Sequence, residues 1–256
     1  MVTPKKHLGQ HFLTNVGVAQ KIADSITGHN NYKVLLEIGP GTGALTKHLL
    51  PFKQFDLWLS EIDNESVVYL NQSYPELSPK ILNSDFLKLD LAAQFKQPVG
   101  IIGNFPYNIS SQILFRVFDQ KNLVPEVVGM FQKEVAQRIA SGPGTKDYGI
   151  LSVLLQAYYK IEYLFSVSEG SFNPPPKVKS GVIRLRRNDI TELECGEREF
   201  VIVVKTTFNQ RRKTIRNSAK SLLQPASNTQ HELFDRRPET LTVEEFVTLT
   251  NLIFSL

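Results

Sequence analysis

A single cysteine, Cys195, serves the whole chain of 256 residues, so no disulfide can form within it and a reducing compartment is expected. No run approaches the roughly 18 apolar residues that a membrane span requires. The basic N-terminus, MVTPKKHLGQHF, lacks the apolar stretch of a secretory signal. A cytoplasmic location without a membrane partner is therefore expected. The five histidines show no spacing suited to a metal, so no catalytic metal is expected. There is no internal repeat, and nothing in the pattern demands more than a monomer.

Acid is missing from two late stretches. Residues 177–187 hold five basic side chains, and residues 205–220 hold Lys205, Arg211, Arg212, Lys213, Arg216 and Lys220; together these are 11 of the 29 Lys and Arg residues. One such run is usually a solvated helix face. Two of them in one chain point to a polyanion.

Apolar runs of strand length alternate with helix-like segments through the first two thirds. Strands are expected at 34–38, 55–62, 80–83, 99–102 and 127–131, and helices at 44–50, 64–71, 110–118 and 133–140. This rhythm predicts an α/β fold, a mostly parallel sheet with helices on both faces. Residues 149–157 read as a helix, and residues 160–167 and 181–187 alternate like a hairpin that adds an antiparallel end. Beyond Asn188 the chain reads as helices only. An apolar stripe predicts one helix over 200–223 with Lys213, Arg216 and Lys220 on its flank. A last helix over 241–254 carries Thr242 and Glu245 at capping-box spacing. The expected domains are 1–187 and 188–256, the second small and all-helical.

The stretch Glu37-Ile38-Gly39-Pro40-Gly41-Thr42-Gly43 lies where the first strand gives way to the first helix. Its glycines let backbone approach a ligand, but the spacing is not that of a dinucleotide fingerprint. An acid at Glu37 would repel a pyrophosphate and suit a cationic ligand such as the amino and sulfonium groups of S-adenosylmethionine. By itself the motif reads equally well as an ordinary glycine-rich turn. Glu61 ends the second strand, where an acid can accept from ribose hydroxyls. Asp85 ends the third, where it can accept from an adenine amine. Three acids at successive strand ends make a cofactor site the better reading.

The fourth strand ends in Asn104-Phe105-Pro106-Tyr107. The exocyclic amine of adenine is a poor nucleophile because its lone pair is delocalised into the ring. Two acceptors on its hydrogens would localise that pair. The Asn104 side-chain oxygen is one, and the carbonyl of Phe105, held extended by Pro106, is the other. Tyr107 offers a face on which an unstacked base can lie.

These motifs, with Gly9-Gln10-His11-Phe12-Leu13, resemble the rRNA adenine N6,N6-dimethyltransferase family. Ser171-Phe172-Asn173-Pro174-Pro175-Pro176-Lys177-Val178-Lys179-Ser180 is similar to a later motif of that family. The segments Phe208 to Ser218 and Arg237 to Leu241 resemble its small-subunit (16S) branch. The resemblance runs from about Lys6 to the end. It implies a Rossmann-like class I S-adenosylmethionine methyltransferase sheet with one antiparallel strand. It also implies cofactor contacts at His11, Leu13, Glu37, Gly39, Gly41, Glu61, Asp85 and Asn104. Target-adenine contacts are implied at Asn104, Tyr107 and Phe172. The basic residues Lys177, Lys179, Arg211, Arg212, Lys213, Arg216 and Lys220 would hold RNA. The expected partner is 16S rRNA in an immature 30S particle. His11 stands where the family usually has Asn, and Phe105 replaces a common Leu. A methyltransferase of large-subunit rRNA, an assembly factor and a nicotinamide dehydrogenase are the competing readings. The FNQRRKTIRNS segment, the Asn104–Tyr107 motif and the glycine spacing argue against them in that order.

Overall fold

A computed structural model describes residues 2–223, 227 and 229–254. It divides into two compact units, residues 1–136 with 161–187 and residues 137–160 with 188–256.

The first unit begins with a two-residue strand, β1 (Phe12–Leu13), and helix α1 (Val16–Ala23), which no sequence expectation covered. Next come β2 (Val34–Ile38), α2 (Thr46–Leu49), β3 (Asp56–Glu61), α3 (Asn64–Ser73), β4 (Ile81–Asn83), α4 (Leu91–Phe95), β5 (Val99–Asn104), α5 (Ser110–Asp119) and β6 (Glu126–Gln132). Helix α6 (Lys133–Ala140) and helix α7 (Ile150–Gln156) lead to β7 (Tyr159–Val167), β8 (Phe172–Asn173) and β9 (Ser180–Arg187). The sheet runs β4-β3-β2-β5-β6-β9-β7; β2 to β6 pair in parallel, and β9 is antiparallel to β6. Strand β9 is thus inserted beside β6 and leaves β7 at the edge.

Strand β2 is buried along its whole length, as a strand covered on both faces requires. Caps fix where the helices begin: the Asp63 side chain accepts from Glu65 N–H, and Asp90 accepts from the N–H groups of Ala92 and Ala93. At the amino edge of the sheet, fully buried Glu126 collects Tyr32 Oη at 2.9 Å, Thr27 Oγ1 at 2.7 Å and the N–H groups of Thr27, Gly28 and His29. Those donors pay its desolvation and lock the loop entering β2.

The second unit holds α8 (Glu197–Phe208), α9 (Ile215–Ser218) and α10 (Val243–Phe254). Its core includes Phe200, Phe234 and Phe246, with the rings of Tyr148 and Phe208 6.1 Å apart and those of Phe208 and Phe246 5.8 Å apart. Residues 137–160 belong here rather than to the expected domain 1–187, because apolar α7 packs on α8 and α10. The single helix expected over 200–223 is corrected as well. Helix α8 stops at Phe208, and tight turns (Arg211 N–H to Phe208 O, Lys213 N–H to Gln210 O) carry the chain to α9. Helix α10 has the expected reciprocal cap, Thr242 N–H to Glu245 Oε2 at 2.8 Å and Glu245 N–H to Thr242 Oγ1 at 3.2 Å.

Glu126→Gln keeps the shape but loses the charge and one acceptor oxygen. It should lower stability by roughly 2–3 kcal/mol, read as a shift of the urea midpoint at unchanged slope.

Candidate active site

Strand order reverses between β2 and β5, which are neighbours although β3 and β4 separate them in the chain. A crevice outside the carboxyl ends of the strands is expected at that switch point. A cleft of about 290 Å³ lies there, close to the lower size of ligand sites. Its lining includes His11, Gly39, Gly41, Glu61, Asp85, Asn104, Phe105, Pro106 and Tyr107. Nine of the residues that the sequence singled out thus share one cavity.

Each strand end delivers its group by a local device. Gly39 (φ 64°) and Gly41 (φ 56°) take left-handed backbone. A Cβ on Gly41 would come within 2.8 Å of the Phe12 ring, so glycine is required there by space as well as by conformation. Gly41 N–H donates to Glu61 Oε2 at 3.0 Å, and the N–H groups of Ile62 and Asp63 donate to Glu61 Oε1 at 2.9 Å. Burial pushes the Glu61 carboxyl up, and those three N–H groups pull it back. Asp85 caps a short turn by accepting Leu87 N–H at 3.0 Å.

Asn104 Nδ2 donates to the His11 carbonyl at 2.9 Å. That bond takes one of the two amide N–H groups and sets the orientation of the amide, with Oδ1 as the acceptor for a ligand's N–H. The Phe105 ring is 1 % exposed, and it meets Phe131 edge-on at 5.1 Å. Gly103 and Gly129 make room for it, since a Cβ on either would fall 2.7 and 2.4 Å from ring carbons. This side chain anchors the loop, a part beyond the backbone role expected of Phe105.

Three predicted residues lie outside the lining of this cleft. Leu13 and Glu37 border a separate cavity of about 20 Å³ that Asn104 and Thr42 also touch. Phe172 is 4 % exposed within the core, and its strand β8 pairs with β1, Leu13 facing Phe172. Glu37 is 1 % exposed and accepts from Thr46 Oγ1 at 2.7 Å. Burial pushes it up to about 8, and the neighbouring Glu61 charge adds to the rise.

Sequence reasoning missed Gln10, Ile62, Phe86, Leu87 and Asn108, which also line the cleft. Ile62 and Phe86 directly follow the strand-end acids, a signal that was legible. Ile62 is 52 % exposed, an apolar wall left open to a ligand.

The basic stretches are only partly available. Arg184 and Arg186 of β9 both pair with Glu162 of β7 at 3.0 Å, which removes two of the five cations counted in residues 177–187. Lys177 and Lys179 are exposed. In the second unit Arg212, Lys213 and Lys220 are exposed, Arg216 pairs with Asp235 at 2.8 Å, and Arg211 Nη1 donates to the Lys146 carbonyl at 2.9 Å. Among the described residues no cluster of His, Cys, Asp and Glu could hold a metal, and no helix is long and apolar enough to cross a membrane.

The sequence matches the ribosomal RNA adenine dimethylase family over residues 1–253. The chain belongs to that family. Proteins named ribosomal RNA small subunit methyltransferase A are similar to it along their whole length. The one from Cytophaga hutchinsonii is 54% identical, covering 98% of each chain. That from Parabacteroides distasonis is 56% identical over 98% of this chain and 94% of its own. Among solved structures, a dimethyladenosine transferase from Plasmodium falciparum superposes with TM-score 0.74 at 24% identity, over 93% of this chain and 96% of that one. The 23S rRNA methyltransferase ErmE gives 0.66, also at 24% identity, over 95% and 99%. These two likenesses bear on the fold, which is the methyltransferase sheet expected for the family.

The residues present fit S-adenosylmethionine. Gly39 leaves open a space that a side chain would enter, Glu61 and Asp85 offer acceptors at neighbouring strand ends, and Ile62 and Phe86 supply apolar surface.

Glu37 supports a pH prediction for the ligand-free protein. Its folded value of about 8 exceeds the ordinary 4.5, so the folded state binds the proton more tightly. The stability it contributes is complete below 4.5 and is lost as pH rises to about 8. Glu37→Gln cannot titrate, so its melting temperature should fall less than that of the parent across that window, as read by calorimetry.

Proposed function

We propose that the chain transfers methyl groups from S-adenosylmethionine to the N6 atoms of adenines in small-subunit rRNA, two to each adenine. The observation that carries this reading is the meeting of Glu61, Asp85 and the Asn104–Tyr107 motif in one cleft, in a member of the adenine dimethylase family. The full-length likeness to small-subunit methyltransferases favours that rRNA over the large-subunit one.

When bound, S-adenosylmethionine supplies an electrophilic methyl group on a sulfonium sulfur. Glu61 would accept from the ribose hydroxyls, its carboxylate already oriented by three N–H groups. Asp85 would accept from the adenine amine of the cofactor, with Ile62 and Phe86 beside it. Glu37 and Leu13 would lie behind the loop as a buried layer. At the target, Asn104 Oδ1 would take one amine hydrogen and the Phe105 carbonyl the other. Rate then comes from placing the amine in line with the methyl group and from acceptors set in advance, without a strong base.

Tyr107 would stack on the target base. Phe172 would be reached only by a shift of the β1–β8 pair, because its ring is buried. Lys177, Lys179, Arg212 and Lys213 would grip phosphates, with Lys220, Arg211 and Arg216 adding to the charge. An immature 30S particle as substrate, a monomeric enzyme and a cytoplasmic location complete the proposal.

Incubating undermethylated small subunits with labelled S-adenosylmethionine should yield N6,N6-dimethyladenosine. Absence of that nucleoside, or labelling of large-subunit RNA instead, would overturn the proposal. Asn104→Ala should lower kcat by roughly 10²-fold in the same assay. Lys213→Ala should reduce the salt dependence of RNA binding by about one unit of slope, measured by titration at several chloride concentrations.

A further inference from the structure

Tyr107 follows the proline that ends the β5 motif, and it lines the cleft. A ring meant to stack on an unpaired base is effective only if its plane is set beforehand, yet a ring on a loop turns about two side-chain bonds. Two groups hold this one. Its hydroxyl shares a hydrogen bond of 2.6 Å with Ser180 Oγ, short for a pair of neutral hydroxyls. The His11 ring lies against it, centroids 5.6 Å apart and planes tilted by 31°.

Both holders are themselves fastened. Ser180 is fully buried and opens β9, opposite Gln132 of β6. Two positions along the same strands Val182 faces Met130, and Met130 pairs with Asn104 on β5. One hydrogen-bonded sheet therefore carries both the Asn104 acceptor and the Ser180 hydroxyl. His11 is fixed through its ring Nδ1, 2.8 Å from the Pro174 carbonyl. A carbonyl only accepts, so Nδ1 bears the proton. Burial pushes the Tyr107 phenol up, which keeps it a neutral hydroxyl partner.

We propose that Ser180 is a positioning residue for methyl transfer: carried on the sheet, its hydroxyl fixes the edge of Tyr107 while His11 backs the ring, so the stacking surface is set before an adenine arrives. This rests on the adenine methylation proposed above. The role belongs to the hydroxyl pair, so removing either hydroxyl should have the same effect and removing both should add nothing.

The test uses Ser180→Ala, Tyr107→Phe and the double variant in the full chain, with undermethylated small subunits as substrate. Calorimetry gives the S-adenosylmethionine Kd, and thermal unfolding monitors the fold. Each single variant should lose about 10-fold in kcat, with cofactor Kd and melting temperature unchanged, and the double variant should match the singles. His11→Ala, which keeps the backbone carbonyl that holds Asn104, should lower kcat. Multiplying losses in the double variant, unchanged kcat in Ser180→Ala, or a kcat loss accompanied by an equal rise in cofactor Kd would each overturn the inference. If Ser180→Ala unfolds, Tyr107→Phe decides, since it removes the other hydroxyl and leaves the sheet intact; full kcat there would overturn the inference. A parent enzyme that methylates no small-subunit adenine would sink the function itself, an outcome distinct from these.

Discussion

Parallel pairing is the constraint on which the rest depends. Strands β2 to β6 run the same way, so their carboxyl ends come out at one edge. Whatever residue follows each strand is delivered to the same place, from stretches far apart in the chain. Glu61, Asp85 and Asn104 need no contact with one another to be neighbours. Gly39 N–H, bonded to the Ser60 carbonyl at 2.9 Å, extends the ladder one step past β2 and brings the glycine loop over Glu61.

The two edges of the sheet treat buried charge differently. Glu126 at the amino edge is saturated with donors and has nothing left to offer. Glu37 near the carboxyl edge accepts from the hydroxyl and the backbone N–H of Thr46, and burial still drives it toward the protonated state.

The alternation of apolar runs made the sheet and its parallel sense legible, because βαβ crossovers leave a period that local sequence records. The positions of Glu61, Asp85 and Asn104 were legible for the same reason, Glu61 and Asn104 being the last residues of their strands and Asp85 lying two past the end of its own. What sequence could not show was long-range pairing. The burial of Phe172 follows from a two-residue ladder with Leu13, and no local pattern marks so short a strand. The pairing of Arg184 and Arg186 with Glu162 lies across neighbouring strands, so a charge run read along the chain overstated the free charge. The break after Phe208 was hidden because the apolar stripe resumes in phase at Ile215, and only the turn hydrogen bonds reveal it.

The β1–β8 ladder also orders events during synthesis. His11 meets a carbonyl 163 residues further along the chain. At ordinary translation rates that stretch takes on the order of 10 s to emerge. Until it does, a nascent chain has the floor of its cleft but lacks the strand that fastens the roof. The enzyme's first residues wait for partners far along the chain, and the site closes only after about two thirds of the 256 residues have been made.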